Sequence, residues 1–173
     1  MERLIRFVII LAIPIVIFTS CGATPIFVDL DDFSINIPAA VNTAGLVIYS
    51  ADPISLEKQS LNIKAVRLSG FIEPTYTGGT LKLTFYASAT EPDGCASFQS
   101  ILICGKIGHK RISSEYTLHN GFKQPISLGD PNADVLADGV NNGKLWIGVE
   151  VTSSASADIS LQFSDMVASV TIF

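Results

Sequence analysis

Alternation of apolar and polar residues with a period of two restricts this chain more than any other feature. The clearest run is Thr80 to Ala87. Leu81, Leu83, Phe85 and Ala87 share one parity, and Thr80, Lys82, Thr84 and Tyr86 share the other. Successive side chains of a strand point to opposite faces, so such a run buries one face and leaves the other for solvent. The pattern recurs in Phe33, Ile35 and Ile37, and again in Lys144 to Thr152, where Leu145, Ile147, Val149 and Val151 alternate with Trp146, Gly148 and Glu150. Two longer stretches change parity midway. Leu61 and Ile63 share one parity while Val66, Leu68 and Ile72 share the other; Ile159, Leu161 and Phe163 are followed by Met166, Ala168, Val170 and Ile172 on the opposite one. An extra residue in one strand swaps its faces, so each stretch predicts a bulge, the second near Ser164-Asp165.

Shorter β-like runs lie at Leu46 to Tyr49, Phe98 to Cys104, Arg111 to His119 and Phe122 to Leu128. Turn chemistry separates them at Asp52-Pro53, at Glu73-Pro74 with Gly78-Gly79, and at Glu91 to Gly94. Asn120-Gly121 reads as a hairpin joining Arg111–His119 to Phe122–Leu128, and Pro125 marks the return strand as an edge. One short helix is expected near 131–142. Asp130 stands where a cap belongs, Pro131 suits the first helical position, Leu136 and Val140 share a face, and Gly139 or Gly143 ends it. Eight to ten strands and one helix in about 140 residues predict an all-β fold. An antiparallel two-sheet β-sandwich, Ig-like or jelly-roll-like, fits best, and a closed barrel is the second choice. Residues 33–173 read as one sandwich domain without internal repeats.

Residues 1–20 stand apart from that pattern. Arg3 and Arg6 precede Phe7 to Phe18, twelve apolar residues, and the small pair Thr19-Ser20 precedes Cys21. Crossing a bilayer takes roughly 20 apolar residues, so this run is a signal peptide rather than a membrane span. The stretch Phe18-Thr19-Ser20-Cys21 resembles the lipobox of bacterial lipoproteins. That resemblance implies cleavage before Cys21, a diacylglycerol on its sulfur, and a tether over residues 21–32 holding the body to the cell envelope. Gly22 stands where an inner-membrane retention signal would place Asp, which favours the outer membrane in a host that has one. The whole chain carries 11 Lys and Arg against 16 Asp and Glu, a net charge of −5. Cleavage removes Glu2, Arg3 and Arg6 and leaves −6. Such a body is a poor partner for nucleic acid, which needs clustered cations, and it lacks a polybasic stretch for anionic lipid. The partners expected are a membrane, through the N-terminal lipid, and an unidentified protein or glycan.

With Cys21 assigned to lipid, Cys95 and Cys104 remain as a candidate disulfide in an exported, oxidising setting. Closing a loop of about ten residues contributes about 2–3 kcal/mol by chain entropy. Two buried thiols are the alternative. Cys95, Cys104, His109 and His119 lack the compact spacing of structural zinc, so no metal is expected. Ser55-Leu56-Glu57-Lys58 matches S-x-x-K without the accompanying K-T-G. Asp130-Pro131-Asn132-Ala133-Asp134 begins like a calcium loop, but Val135 occupies the glycine position and no closing glutamate follows. Asp29, Asp31 and Asp32 read as an exposed acidic stretch. There is no G-x-S-x-G, H-E-x-x-H or phosphate-cradling glycine loop, and nothing selects His109 or His119 for a triad. No catalytic residue and no cofactor are therefore assigned.

Sugars stack on open aromatic faces. Tyr86 and Trp146 sit on the polar parity of their strands and are the candidate ligand-binding residues; Tyr49, Tyr76 and Tyr116 are the remaining tyrosines. The competing expectation is that these rings pack beneath loops. The reading is a lipid-anchored, non-catalytic envelope β-sandwich acting as a binding or assembly module. A carbohydrate-binding module and a small envelope hydrolase are the alternatives.

Overall fold

The computed structural model describes residues 25–39, 45–56, 63–130, 132–152 and 158–172. The expected leader with Cys21, the Glu57-Lys58 end of S-x-x-K and the turn expected at 153–157 lie outside them. The described residues form two antiparallel sheets and one helix. The smaller sheet contains β1 (Ile26–Asp29), β2 (Phe33–Ile37), β5 (Ile63–Thr75), β11 (Gln124–Leu128) and β13 (Ile159–Ile172). Its order is β1-β13-β5-β11, with β2 following β1 along the same side of β13. The larger sheet contains β3 (Leu46–Ser50), β4 (Ile54–Ser55), β6 (Leu81–Ser88), β7 (Ala96–Phe98), β8 (Ile101–Gly105), β9 (Lys110–Arg111), β10 (Tyr116–Leu118) and β12 (Lys144–Val151). Its order is β10-β6-β12-β3-β8-β7, with β9 on β6 and β4 on β12. The sheets are separate layers, so the sandwich describes the molecule and the closed barrel does not.

The alternating residues meet between the layers. Leu81, Leu83, Phe85 and Ala87 of β6 face Ile35 and Ile37 of β2, Val66, Leu68 and Ile72 of β5, and Leu161, Phe163, Met166, Ala168 and Val170 of β13 in one continuous core. Phe163 stacks on Phe33 with centroids 4.3 Å apart and meets the Phe85 ring edge-on at 6.0 Å. Both parity changes are bulges in the β5–β13 ladder. One register shift falls between Ser164 and Val167; the other falls between Thr171 and Ile172, where Lys64 is the extra residue opposite. Asp165 takes a positive φ of 52° at the first, which returns Met166 to the core.

Helix α1 (Ala133–Asn142) packs against β5 of one sheet and β12 of the other through Leu136, Ala137, Gly139 and Val140. The Asn141 side chain pairs with both backbone groups of Ile63, donating to its carbonyl at 3.1 Å and accepting from its amide at 3.2 Å. The helix thus closes the gap between the layers.

Several local expectations are corrected. The helix is capped by Asn132 rather than Asp130, without a side-chain cap bond, and the Asn132 side-chain amide donates to the Arg111 carbonyl. Residues Ile26–Asp29, read as tether, pair with β13, so the folded body begins before residue 33. Phe98 to Cys104 is split by a tight turn with Gln99 at φ 54°. Glu73-Pro74 lies within β5, since β11 ends opposite Ile72 and the proline position needs no partner amide there. Asn120-Gly121 turns the chain but makes no hairpin, because β10 joins β6 in one sheet and β11 joins β5 in the other. Pro125 does lie on an edge strand.

Phe85 is fully buried and touches aromatic rings from both layers. Phe85→Ala is expected to lower unfolding stability by about 3–5 kcal/mol, read from the midpoint of urea denaturation.

Candidate functional site

The outer face of the larger sheet brings together Tyr86, Trp146, Tyr49 and the Cys95–Cys104 pair, whereas Tyr76 lies in the main core and Asp130 lies elsewhere. Strand parity sends Val47 and Tyr49 of β3, Tyr86 of β6, Cys104 of β8, and Trp146, Gly148 and Glu150 of β12 away from the main core. Tyr49, Gly148 and Tyr86 lie in one row across three strands. Gly148 makes the row possible. A Cβ there would lie 2.6 Å from Cε1 of the Tyr49 ring, so the ring occupies the space a side chain would fill.

The segment from Lys106 to His109 carries the chain across this face, from β8 to β9 beyond β6. It delivers two polar contacts. Lys106 Nζ donates to Glu150 Oε1 at 2.8 Å, while Tyr86 Oη donates to Glu150 Oε2 at 2.8 Å. The Tyr49 hydroxyl and His109 Nδ1 are hydrogen-bonded at 2.9 Å. Glu150 is 5% exposed, and its two oxygens are satisfied by a cation and a phenol, which is what a buried carboxylate needs.

Cys95 and Cys104 are joined by a disulfide, with Cα atoms 4.4 Å apart. Cys95 directly precedes β7 and Cys104 lies on β8, so the bridge fastens the outermost strand pair of the sheet. One His109 ring nitrogen lies within 4.8 Å of both sulfurs. Bonded to each other, the sulfurs offer no thiolates to a metal, and His119 is not part of the group.

Tyr86 and Trp146 are 2% and 7% exposed, packed with Val47, Tyr49 and Cys104 in a second apolar cluster. Neither presents the open ring face that sugar stacking requires. The outward parity was legible, but the segment laid over it was not. The indole Nε1 of Trp146 is buried without a hydrogen-bond partner among the described residues.

Burial sets the electrostatics of this layer. It raises the Tyr49 hydroxyl well above the ordinary tyrosine value, with Tyr86 adding to the effect. Tyr86 is raised first by burial and then by its bond to Glu150. The hydrogen bond to Glu150 is the main cause that raises Lys106, and burial lowers His109. These groups lock one another rather than expose a reactive atom.

Concave surface lies elsewhere. Where the free edges of the two sheets meet, a hollow of about 330 Å³ is lined by Arg67, Arg111, Ser113, Ser114, Ser127 and Asp130, with Leu128 at its base. The edges are fastened by three bonds. Gly129 N–H donates to the Ile112 carbonyl at 2.7 Å, and Tyr116 Oη accepts from Ser127 N–H at 3.0 Å and donates to the Ser127 carbonyl at 2.8 Å. Gly129 sits at φ 127°, and a Cβ there would be 2.9 Å from the Val66 carbonyl oxygen, so only glycine allows this approach. No sequence motif marks the hollow, because its residues come from three separate stretches, at 67, 111–114 and 127–130. A larger hollow of about 530 Å³ beside Asn36, Thr75 and Asp158 contains no cationic group among the described residues.

No protein-family model matches the chain, and no curated protein matches it. Among solved structures, the CBM22-1 xylan-binding domain of Paenibacillus barcinonensis Xyn10C is similar at a TM-score of 0.39 and 7% identity, over 85% of this chain and 86% of that one. The structure of infectious bursal disease virus Gt strain gives a TM-score of 0.39 and 13% identity, over 86% of this chain and 33% of that one. Recombinant latent aurone synthase, a polyphenol oxidase, gives 0.35 and 11%, over 90% of this chain and 27% of that one. Scores this low transfer neither ligand nor activity.

Two outcomes follow from the outer layer. Gly148→Ala is expected to cost about 1–3 kcal/mol, because the new methyl must displace the Tyr49 ring, and to perturb the His109 ring resonances in NMR spectra. The imidazole of His109 is depressed in the fold, so the unfolded chain holds more protons between that value and the usual one near 6.5. Stability should therefore fall as pH drops through that window, and His109→Gln should flatten the dependence in chemical denaturation measured from pH 7 to 5.

Proposed function

We propose that this protein is a lipid-anchored β-sandwich of the bacterial cell envelope that acts by binding rather than by catalysis. The tether is carried by one observation: a charged start, an apolar run and Thr19-Ser20 lead directly to Cys21. Only residues 22–25 separate Cys21 from β1, so five residue steps hold the edge of the smaller sheet within about 18 Å of an acylated sulfur. With so short a leash the body sits close against the membrane.

The binding half of the proposal draws on the seam. Its hollow is lined by cationic and hydroxyl-bearing residues, and its walls are fastened by the Gly129–Ile112 and Tyr116–Ser127 bonds. The outer layer plays a structural part, with the disulfide, Tyr49–His109 and Tyr86–Glu150–Lys106 holding the crossing segment down. The glycan reading through Tyr86 and Trp146 has no open ring to act with. His109, the described histidine nearest other reactive groups, is engaged by Tyr49 rather than by a serine and a carboxylate.

Mass spectrometry of the protein purified from its own host tests the tether. A chain beginning at Cys21 and carrying the mass of a diacylglycerol is the expected result. An intact Met1, or a free thiol at Cys21, would refute it. Cys21→Ser is expected to move the protein from the detergent phase to the aqueous phase.

A further inference from the structure

We infer that the seam hollow is a binding site for an oxyanion, a carboxylate or phosphate group borne on a larger ligand. Arg67 and Arg111 both line it, the first from β5 of the smaller sheet and the second from β9 of the larger. The described ion pairs employ Lys82, Lys106 and Lys123, and neither arginine has an ion-pair partner among the described residues. Two arginines thus border one hollow against a single carboxylate, Asp130, and planar guanidinium forks match the oxygens of a carboxylate or phosphate. In a chain of net charge −5 this is a local reversal of sign.

The hydroxyls extend the match. Ser113 is buried and already committed, accepting from Phe85 N–H at 3.0 Å and donating to the Ser114 carbonyl at 2.7 Å. That pair of bonds fixes the wall. The side-chain hydroxyls of Ser114 and Ser127 have no hydrogen-bond partner among the described residues and are free to donate to further oxygens. Asp130 shares the hollow, and its carboxylate accepts hydroxyl protons but repels a second negative charge. The combination fits a single anionic group on a body rich in hydroxyls. A volume of about 330 Å³ lies at the lower end of small-ligand sites, room for one sugar-sized unit. Gly129 and the Tyr116–Ser127 bonds set the two arginine-bearing edges at a fixed separation, so the site is preorganised. The same chemistry comes from two sources, an acidic sugar or a phosphate.

The full chain in detergent can be titrated calorimetrically with glucuronate, inorganic phosphate and neutral glucose, with chloride holding ionic strength constant. Saturable binding of glucuronate or phosphate is expected, with glucose silent. Glucuronate alone marks an acidic sugar as the source, phosphate alone marks a phosphate-bearing one, and both together mark the shared oxyanion chemistry. Arg67→Gln and Arg111→Gln should each weaken binding roughly tenfold or more while circular dichroism stays unchanged. Added salt should weaken it as well. Failure of both anions to bind, or unchanged binding in the double variant, would overturn the inference. Neither outcome bears on the lipid at Cys21, which Cys21→Ser tests separately.

Discussion

The ladder between β5 and β13 is the constraint on which the remaining structure depends. These are the two longest strands, and they run side by side through the middle of the smaller sheet. Their inward residues supply much of the apolar surface that the larger sheet must cover. Burial of such surface is the main force holding the layers together, at roughly 25 cal/mol per Å². The two bulges bend the ladder without breaking it. Each restores apolar residues to the core after a change of parity, so strands too long for one flat run still bury one continuous face. Helix α1 then leans on β5 and closes the gap beside it.

The larger sheet is unusual in burying both faces at its centre. On β12 every side chain from Leu145 to Val151 is covered, whereas Lys144 is exposed. The inner side is ordinary aliphatic packing. The outer side is a thin layer of aromatic and polar groups beneath the Lys106–His109 crossing. Its apolar content is small, so specific bonds hold it: a disulfide, a phenol on imidazole, and a carboxylate between phenol and ammonium. A buried carboxylate is costly unless fully satisfied, and here both oxygens are. The layer therefore specifies a geometry more than it adds stability, and Gly148 is its narrowest tolerance.

The sheets meet at their free edges on the far side of β6, and this junction shapes the seam hollow. Unpaired edges are a hazard in β proteins because they invite further strands. Here the β11 end and the Ile112–Tyr116 stretch bond to each other, which occupies the edge groups and fixes the hollow together. One junction thus serves both protection of the edges and preorganisation of a binding surface. Its cost is a strict demand for glycine at position 129.

Local alternation was enough to determine from the sequence that the body is all-β, which residues of each strand share a face, where the parity breaks and that one helix interrupts the strands. Those properties depend only on neighbours a few residues apart. The proposed leader ending at Cys21 is read in the same local way, from charge, apolar length and small residues taken in order. Tertiary structure alone decided what lies over each face. Tyr86 and Trp146 are correctly placed away from the core, yet they are buried because a segment twenty residues beyond Tyr86 crosses above them. Asn120-Gly121 turns as its residues dictate, but pairing with β6 and β5 draws its two arms into different sheets. The seam hollow left no local mark at all. Arg67, Arg111, Ser127 and Asp130 become neighbours only because two sheet edges meet, and strand pairing between distant segments is a long-range choice that short-range periodicity does not encode.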